Sequence, residues 1–237
     1  MIKTRSITFL LSLLILASCV QQSGKSTIKV AGAMKNVMWK GELEAIIHLD
    51  TITNKTGLYG VGPLEGLRGE LLIVNGTTYA SHVLNDSMMM VEVDSKAGAP
   101  FLVYGNQTQW KELPLDNRVH NLDNLEQFMN EHSKQFTNPF LFRLEGVIQS
   151  ANIHVQNLPE GSEVHSPKEA HQGQTNFHVN SETVDIIGFY STKHHGIFTH
   201  QNSNMHLHII TKDRSKMGHL DALDLEPNKM VLYVPAN

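Results

Sequence analysis

The chain has 237 residues with 19 Lys plus Arg, 23 Asp plus Glu and 14 His, and 41% of it is hydrophobic, enough apolar surface for a sizeable core; it is not a disordered polymer. The formal charge of −4 comes without long acidic or basic blocks, which leaves no electrostatic case for gripping a phosphate backbone and sets nucleic acid aside as a partner. A single Cys excludes an intrachain disulfide. Histidine is the surplus: ten of the 14 lie from His154 onward, so that half of the chain is where metal is to be sought.

At the N-terminus, Lys3 and Arg5 precede 13 uncharged residues from Ser6 to Ser18, rich in Leu, which is the charged-then-apolar order of a secretory signal. The run is too short to span a bilayer comfortably. It ends in Leu16-Ala17-Ser18-Cys19, which resembles the lipobox of bacterial lipoproteins, where cleavage before the Cys leaves a lipidated first residue. Residues 1–18 are therefore expected to be a signal peptide and Cys19 a lipid anchor, at about 0.8 kcal/mol per buried methylene, on the bacterial cell envelope. The absence of Asp after Cys19 favours an outer membrane. Losing Lys3 and Arg5 takes the 19 basic residues to 17 against 23 acidic, a formal charge of −6. Residues 19–27 read as a short polar tether to one domain over 28–237.

Along that domain, Leu43 to Leu49 offers apolar positions at helical spacing. Leu67 to Val74 and Thr77 to Leu84 flank Asn75-Gly76, the signature of a type I′ hairpin, and Met88 to Val93 and Phe101 to Tyr104 add two more runs of strand length. Leu122, Leu125, Phe128, Met129 and His132 recur with helical period behind Asn121 as N-cap. After Asn138-Pro139, alternation puts Phe140, Phe142 and Leu144 on one strand face and Leu141 with Arg143 on the other. Ser150 to Asn180 is polar and reads as a long functional loop or a boundary region. Thr183 to Tyr190 and Met205 to Ile210 resume strand character, and His219 begins a return segment after the polar turn Lys212 to Gly218. The class is α+β, mostly mixed or antiparallel sheets with a few helices, in two closely packed subdomains of about 28–148 and 149–237.

Residues two apart in a strand share a face, so His206 and His208 project together. A third imidazole from the adjacent strand completes a three-histidine site with an open position, and His219 is placed to be that ligand. His194-His195 reads as a solvated turn, and His154, His165, His171, His178 and His200 as surface or loop polarity.

The surrounding residues resemble the alpha-acetolactate decarboxylase family. Gly188-Phe189, Met205-His206-Leu207-His208-Ile209, Asp213-Arg214 and Gly218-His219 are similar to its GF, HLHF, D-R and GGH segments. Gly60-Val61-Gly62 with Leu67-Arg68-Gly69-Glu70 is similar to GLGTF…LDGE, Ala99-Pro100-Phe101 to a shorter segment, and Asn138-Pro139-Phe140 with Arg143 and Gly146 to NPF…R…G. The matches keep family order from about Lys35 to Pro235.

The resemblance implies Zn²⁺ held by His206, His208 and His219, and decarboxylation of acetolactate, or a similar small 2-hydroxy-3-keto acid, to acetoin and CO₂. It implies catalytic roles for Glu70, which would manage the proton delivered to the new carbanion centre, and for Arg143, a positive fork for a carboxylate or developing oxyanion. A homodimer is a further expectation. Pro63 stands where the family has Thr, and Met217-Gly218-His219 stands for GGH. The family tail that returns a Glu to the metal has no counterpart before Ala236-Asn237. On those departures the other expectation is a lipid-anchored metal-containing binding protein, or inactive homologue, on the same scaffold.

Overall fold

Asn75 and Gly76 take φ of +48° and +87°, the paired left-handed conformation of a type I′ turn, and join two strands at the place the sequence marks. That hairpin belongs to a computed structural model that describes residues 27–236; the expected signal peptide, Cys19 and all of the tether but Thr27 lie outside the described residues. The first half of the chain runs through β1 (Ile28–Ala31), α1 (Met34–Lys40), β2 (Ile47–His48), β3 (Leu58–Pro63), β4 (Glu70–Val74), β5 (Thr77–Asn85), β6 (Met88–Val93), β7 (Gly98–Ala99) and β8 (Leu102–Asn106). It makes an antiparallel sheet in the order β1-β8-β3-β4-β5-β6, with β2 and β7 paired apart. The second half adds β9 (Trp110–Leu113), α2 (Leu122–His132), β10 (Phe140–Val155), α3 (Pro167–Ala170), β11 (Thr175–Asn180), β12 (Thr183–Tyr190), β13 (Met205–Thr211) and β14 (Met217–Pro235). Its sheet runs β11-β10-β12-β13-β14-β9.

In that second sheet β10 pairs with both β12 and β14, and β13 joins those two, so four strands close on themselves. The alternation read from the sequence fills the enclosed space: Phe140, Phe142 and Leu144 from β10 and Met205, Leu207 and Ile209 from β13 lie in one buried cluster. Helix α2 covers this core with Leu125, Phe128 and Met129, and the Asn121 side chain accepts from the Asn124 backbone N–H at 2.9 Å, as an N-cap should. The opposite faces of β10, β12 and β13 send Leu141, Ile187, Phe189 and Ile210 against Val61, Leu72 and Val103 of the first sheet. This apolar layer holds the two sheets together, and the fold is α+β and mostly antiparallel, as expected.

Two segments differ from the expectation. Leu43 to Leu49 is not a helix: the Ala45 N–H goes to the Glu65 carboxylate and the Ile46 N–H to the Ala99 carbonyl, so tertiary partners take the donors that a helix would need. The helix lies earlier, at α1, with Met34, Val37 and Met38 buried and Gly41 as a left-handed cap at φ +66°. Ser150 to Asn180 is not one long loop, because β10 runs on to Val155 with Ala151, Ile153 and Val155 turned into the core. β10 therefore passes unbroken through the expected 148/149 division, and the chain leaves the first sheet for the second between Asn106 and Trp110.

Candidate metal centre

The strand ladders bring the histidines together. His208 on β13 lies directly opposite His219 on β14, and His219 lies directly opposite His154 on β10, so three imidazoles stand in a row across adjacent strands. His206 shares the His208 face, and the ring centroids of His206 lie 5.1 Å from His208 and 5.2 Å from His219. Gly218 permits the row: a Cβ there would stand 2.5 Å from the His154 carbonyl oxygen, so only glycine lets β14 lie this close to β10.

Glu70 meets them from the first sheet. It sits on the same β4 face as Leu72, which packs in the layer between the sheets, and so points across that layer. Its Oε1 accepts from the Gln156 backbone N–H at 3.3 Å and lies 3.9 Å from His154 Nε2, while Oε2 lies 3.6 Å from His208 Nε2. Met34 and Met38 of α1 close the cavity from above, and α1 is fixed there by the Met34 N–H bond to the Ile197 carbonyl at 2.7 Å. The space between these residues is about 30 Å³ and partly open, and among the described residues that line it there is no Arg or Lys.

Burial sets the protonation. Desolvation, with the neighbouring imidazoles adding to it, holds His206 and His208 well below the ordinary histidine range and lowers His219, so all three are neutral and carry a free lone pair. Desolvation pushes Glu70 well above the usual carboxylate range, so it is a neutral acid able to donate. His200, whose ring stands 5.3 Å from His219, is held down to about 4, first by burial and then by His219 and His171.

Three buried nitrogens, His206 Nδ1 and both ring nitrogens of His208, have no hydrogen-bond partner. Leaving such atoms unsatisfied costs about 1–3 kcal/mol each, and a bound cation would relieve one nitrogen of each ring. Neutral imidazoles are the donors that zinc prefers among divalent ions of this kind, and the residues fit it. Among the described residues, the group whose ligand atoms all lie within 4.8 Å of one another is His154, His219 and Asp221, and of the three expected ligands it contains His219. The Asp221 oxygens are already engaged by the Nδ1 atoms of His154 and His219, at 2.8 Å and 3.0 Å, which directs the free donors of those two rings to Nε2.

The structure thus gathers Glu70, His206, His208 and His219, and places Arg143 elsewhere. In the β10–β12–β13 ladder, Ile187 stands between Arg143 and His208. The Arg143 guanidinium bonds Glu145 and lies 4.2 Å from the Tyr233 ring and 5.2 Å from that of Trp110. It lines a separate cavity of about 530 Å³ with Asp185, Lys212 and Arg214. His154, His171 and His200, read in the sequence as loop polarity, join the cluster with Gln156 and Asp221. His165 and His178 stay outside it, paired with Glu163 and Asn152. Simple strand alternation foresees neither Asp221, which sits in an irregularity of β14, nor His154, which lies in the polar stretch that reads as a loop.

The sequence profile of the alpha-acetolactate decarboxylase family matches residues 32–234, most of the chain. The chain belongs to the alpha-acetolactate decarboxylase family. Among solved structures it is similar to an alpha-acetolactate decarboxylase of Bacillus subtilis subspecies spizizenii, at 22% identity and TM-score 0.70 over 89% of this chain and 86% of that one. It is also similar to the enzyme of Bacillus subtilis strain 168, at 20% identity and TM-score 0.68 over 87% and 83%. A Staphylococcus aureus protein of unknown function, itself described as similar to these enzymes, gives 18% identity and TM-score 0.69 over 87% and 84%. At these identities the likeness establishes a shared fold. No curated protein sequence matches the chain.

Proposed function

We propose that this protein is a zinc-dependent carboxy-lyase that converts acetolactate, or a close 2-hydroxy-3-keto acid, to acetoin and CO₂. The observation that carries the reading is the cluster of the His206, His208 and His219 rings facing the buried Glu70 carboxyl, in a chain of this family. His206, His208 and His219 would hold the ion, which when bound supplies Lewis-acid polarisation of the substrate oxygens. The bond to the carboxylate breaks, CO₂ leaves, and its electron pair passes into the neighbouring keto group. Glu70 then delivers a proton to the carbon that lost CO₂. Because Oε1 accepts from the Gln156 N–H, the mobile proton belongs on Oε2. Met34, Met38 and Leu67 keep water from the reacting carbon.

The test is elemental analysis of the purified protein with acetoin measured from each acetolactate enantiomer. Stoichiometric zinc with turnover is expected, and Glu70→Gln should keep the metal and lose about 10²–10⁴-fold in kcat.

A second reading, a metal-containing binding protein without turnover, is favoured by two observations. Arg143 lies outside the cavity, and about 30 Å³ holds an ion or a water but not a branched keto acid unless α1 moves. Zinc without acetoin from either enantiomer would establish it. The proposed address is a lipid anchor at Cys19, supported by the signal-like run and Leu16-Ala17-Ser18-Cys19; incorporation of labelled palmitate, lost in Cys19→Ala, tests it.

A further inference from the structure

The three expected ligands do not exhaust the imidazoles that point at this cavity. On β10, His154 is 7% exposed, and its ring stacks on that of His219 with centroids 4.6 Å apart and planes inclined by 28°. The ladder between β10 and β14 shifts register beside it: Ile153 pairs with Leu220 and Asn152 with Ala222, which leaves Asp221 as the extra residue of a bulge. A bulge re-aims the side chain it carries. Here it aims the Asp221 carboxylate at both rings, 2.8 Å from His154 Nδ1 through each oxygen and 3.0 Å from His219 Nδ1.

A carboxylate oxygen accepts, so the Nδ1 atoms that bond Asp221 at 2.8 Å and 3.0 Å donate to it and each ring keeps its lone pair on Nε2. Stacked rings anchored at the same edge send their free nitrogens the same way. His154 Nε2 comes within 3.9 Å of Glu70 Oε1, and His208 Nε2 within 3.6 Å of Glu70 Oε2, so nitrogens from β10 and β13 converge on the two oxygens of one carboxyl group. The Gln156 amide nitrogen stands 3.5 Å from His154 Nε2, a contact at the outer limit of hydrogen bonding that an ion would displace.

We infer that His154 is a fourth imidazole donor to the same metal ion, and that Asp221 is the positioning residue that fixes the tautomer and orientation of His154 and His219 together. The inference rests on the metal centre proposed above. It makes the site one of four nitrogens drawn from β10, β13 and β14, with Asp221 in the outer shell that orients such ligands in zinc proteins.

The experiment loads the full chain, with ¹⁵N-labelled histidine, with ¹¹³Cd²⁺ and counts the imidazoles with a ring nitrogen signal split by cadmium. Four are expected, those of His154 and His219 with protonated Nδ1 partners. Zinc affinity is measured alongside by chelator competition. His154→Gln and Asp221→Asn are each expected to lose about 10–100-fold, with Asp221→Glu recovering part of it. Three split signals without His154, together with parental affinity in His154→Gln, overturn the inference while the metal centre stands. A ¹¹³Cd shift displaced towards oxygen ligation, with the His154 signals unsplit and the displacement lost in Asp221→Asn, marks Asp221 as a direct ligand and overturns it too. No metal uptake by the parent, or parental affinity in His206→Ala, removes the metal centre itself and the inference with it. The count on the unsubstituted protein keeps the inference testable if a variant misfolds.

Discussion

The layer between the two sheets ends in two cavities, and they handle buried charge in opposite ways. At one end Arg143 bonds Glu145, while Lys212 and Arg214 reach Asp185 at 3.5 Å and 2.8 Å, so each cation already has its anion. At the other end His206 and His208 present buried nitrogens with no partner, and Glu70 is a carboxyl kept neutral by desolvation. The larger space, about 530 Å³, pairs its charges and leaves only Arg143 Nε and Gln107 Oε1 without a partner among its described lining residues; the space of about 30 Å³ holds the unpartnered imidazole nitrogens. Chemistry follows unsatisfied valence here, and volume is a poor guide to it.

Substitutions at each end should separate these behaviours. Gly218→Ala should have the largest effect. It drives a Cβ against the His154 carbonyl oxygen, costs about 1–3 kcal/mol of stability by overpacking, and parts the imidazole row, so the melting temperature and bound zinc should fall together. Arg143→Ala removes two ring contacts and leaves Glu145 unpaired, at about 1–2 kcal/mol, and should leave zinc content untouched; loss of metal in this variant would tie the two ends together. Asp213→Ala should have the smallest effect. The Asp213 carboxylate bonds Thr211 and Ser215 in the turn that joins β13 to β14, bonds that hold it down to about 2 from the ordinary 3.8. Since the folded value is the lower one, the stabilisation is present above pH 3.8 and lost as pH falls to about 2. The melting difference between parent and variant should vanish over that window.

What the sequence disclosed follows from how local each signal is. The Asn75-Gly76 turn, the Asn121 cap and the shared face of His206 and His208 each depend on a few adjacent residues, and each appears in the structure. The opposition of His208 and His219 needed only a hairpin. His154 needed the long-range ladder of β10 with β14, and the polar Asn152 before it and Gln156 after it disguise the strand as a loop. Asp221 sits in a bulge, which alternation does not foresee. Arg143 was correctly placed in a strand on the face opposite Phe142, yet face alone does not say at which end of the layer a side chain lies.

The donors of the histidine cluster are far apart along the chain, Glu70 in one sheet and His154, His206, His208 and His219 in the other. Contacts of such wide separation form late in folding, after the loops between them have closed. Until then the ten histidines from His154 onward in a loose chain offer a divalent ion many weak seats and no strong one. Metal present during refolding is thus expected to compete with the path to the proposed site, and metal supplied after the sheets have docked to hold them together. The yield of native protein should then depend on the order of addition.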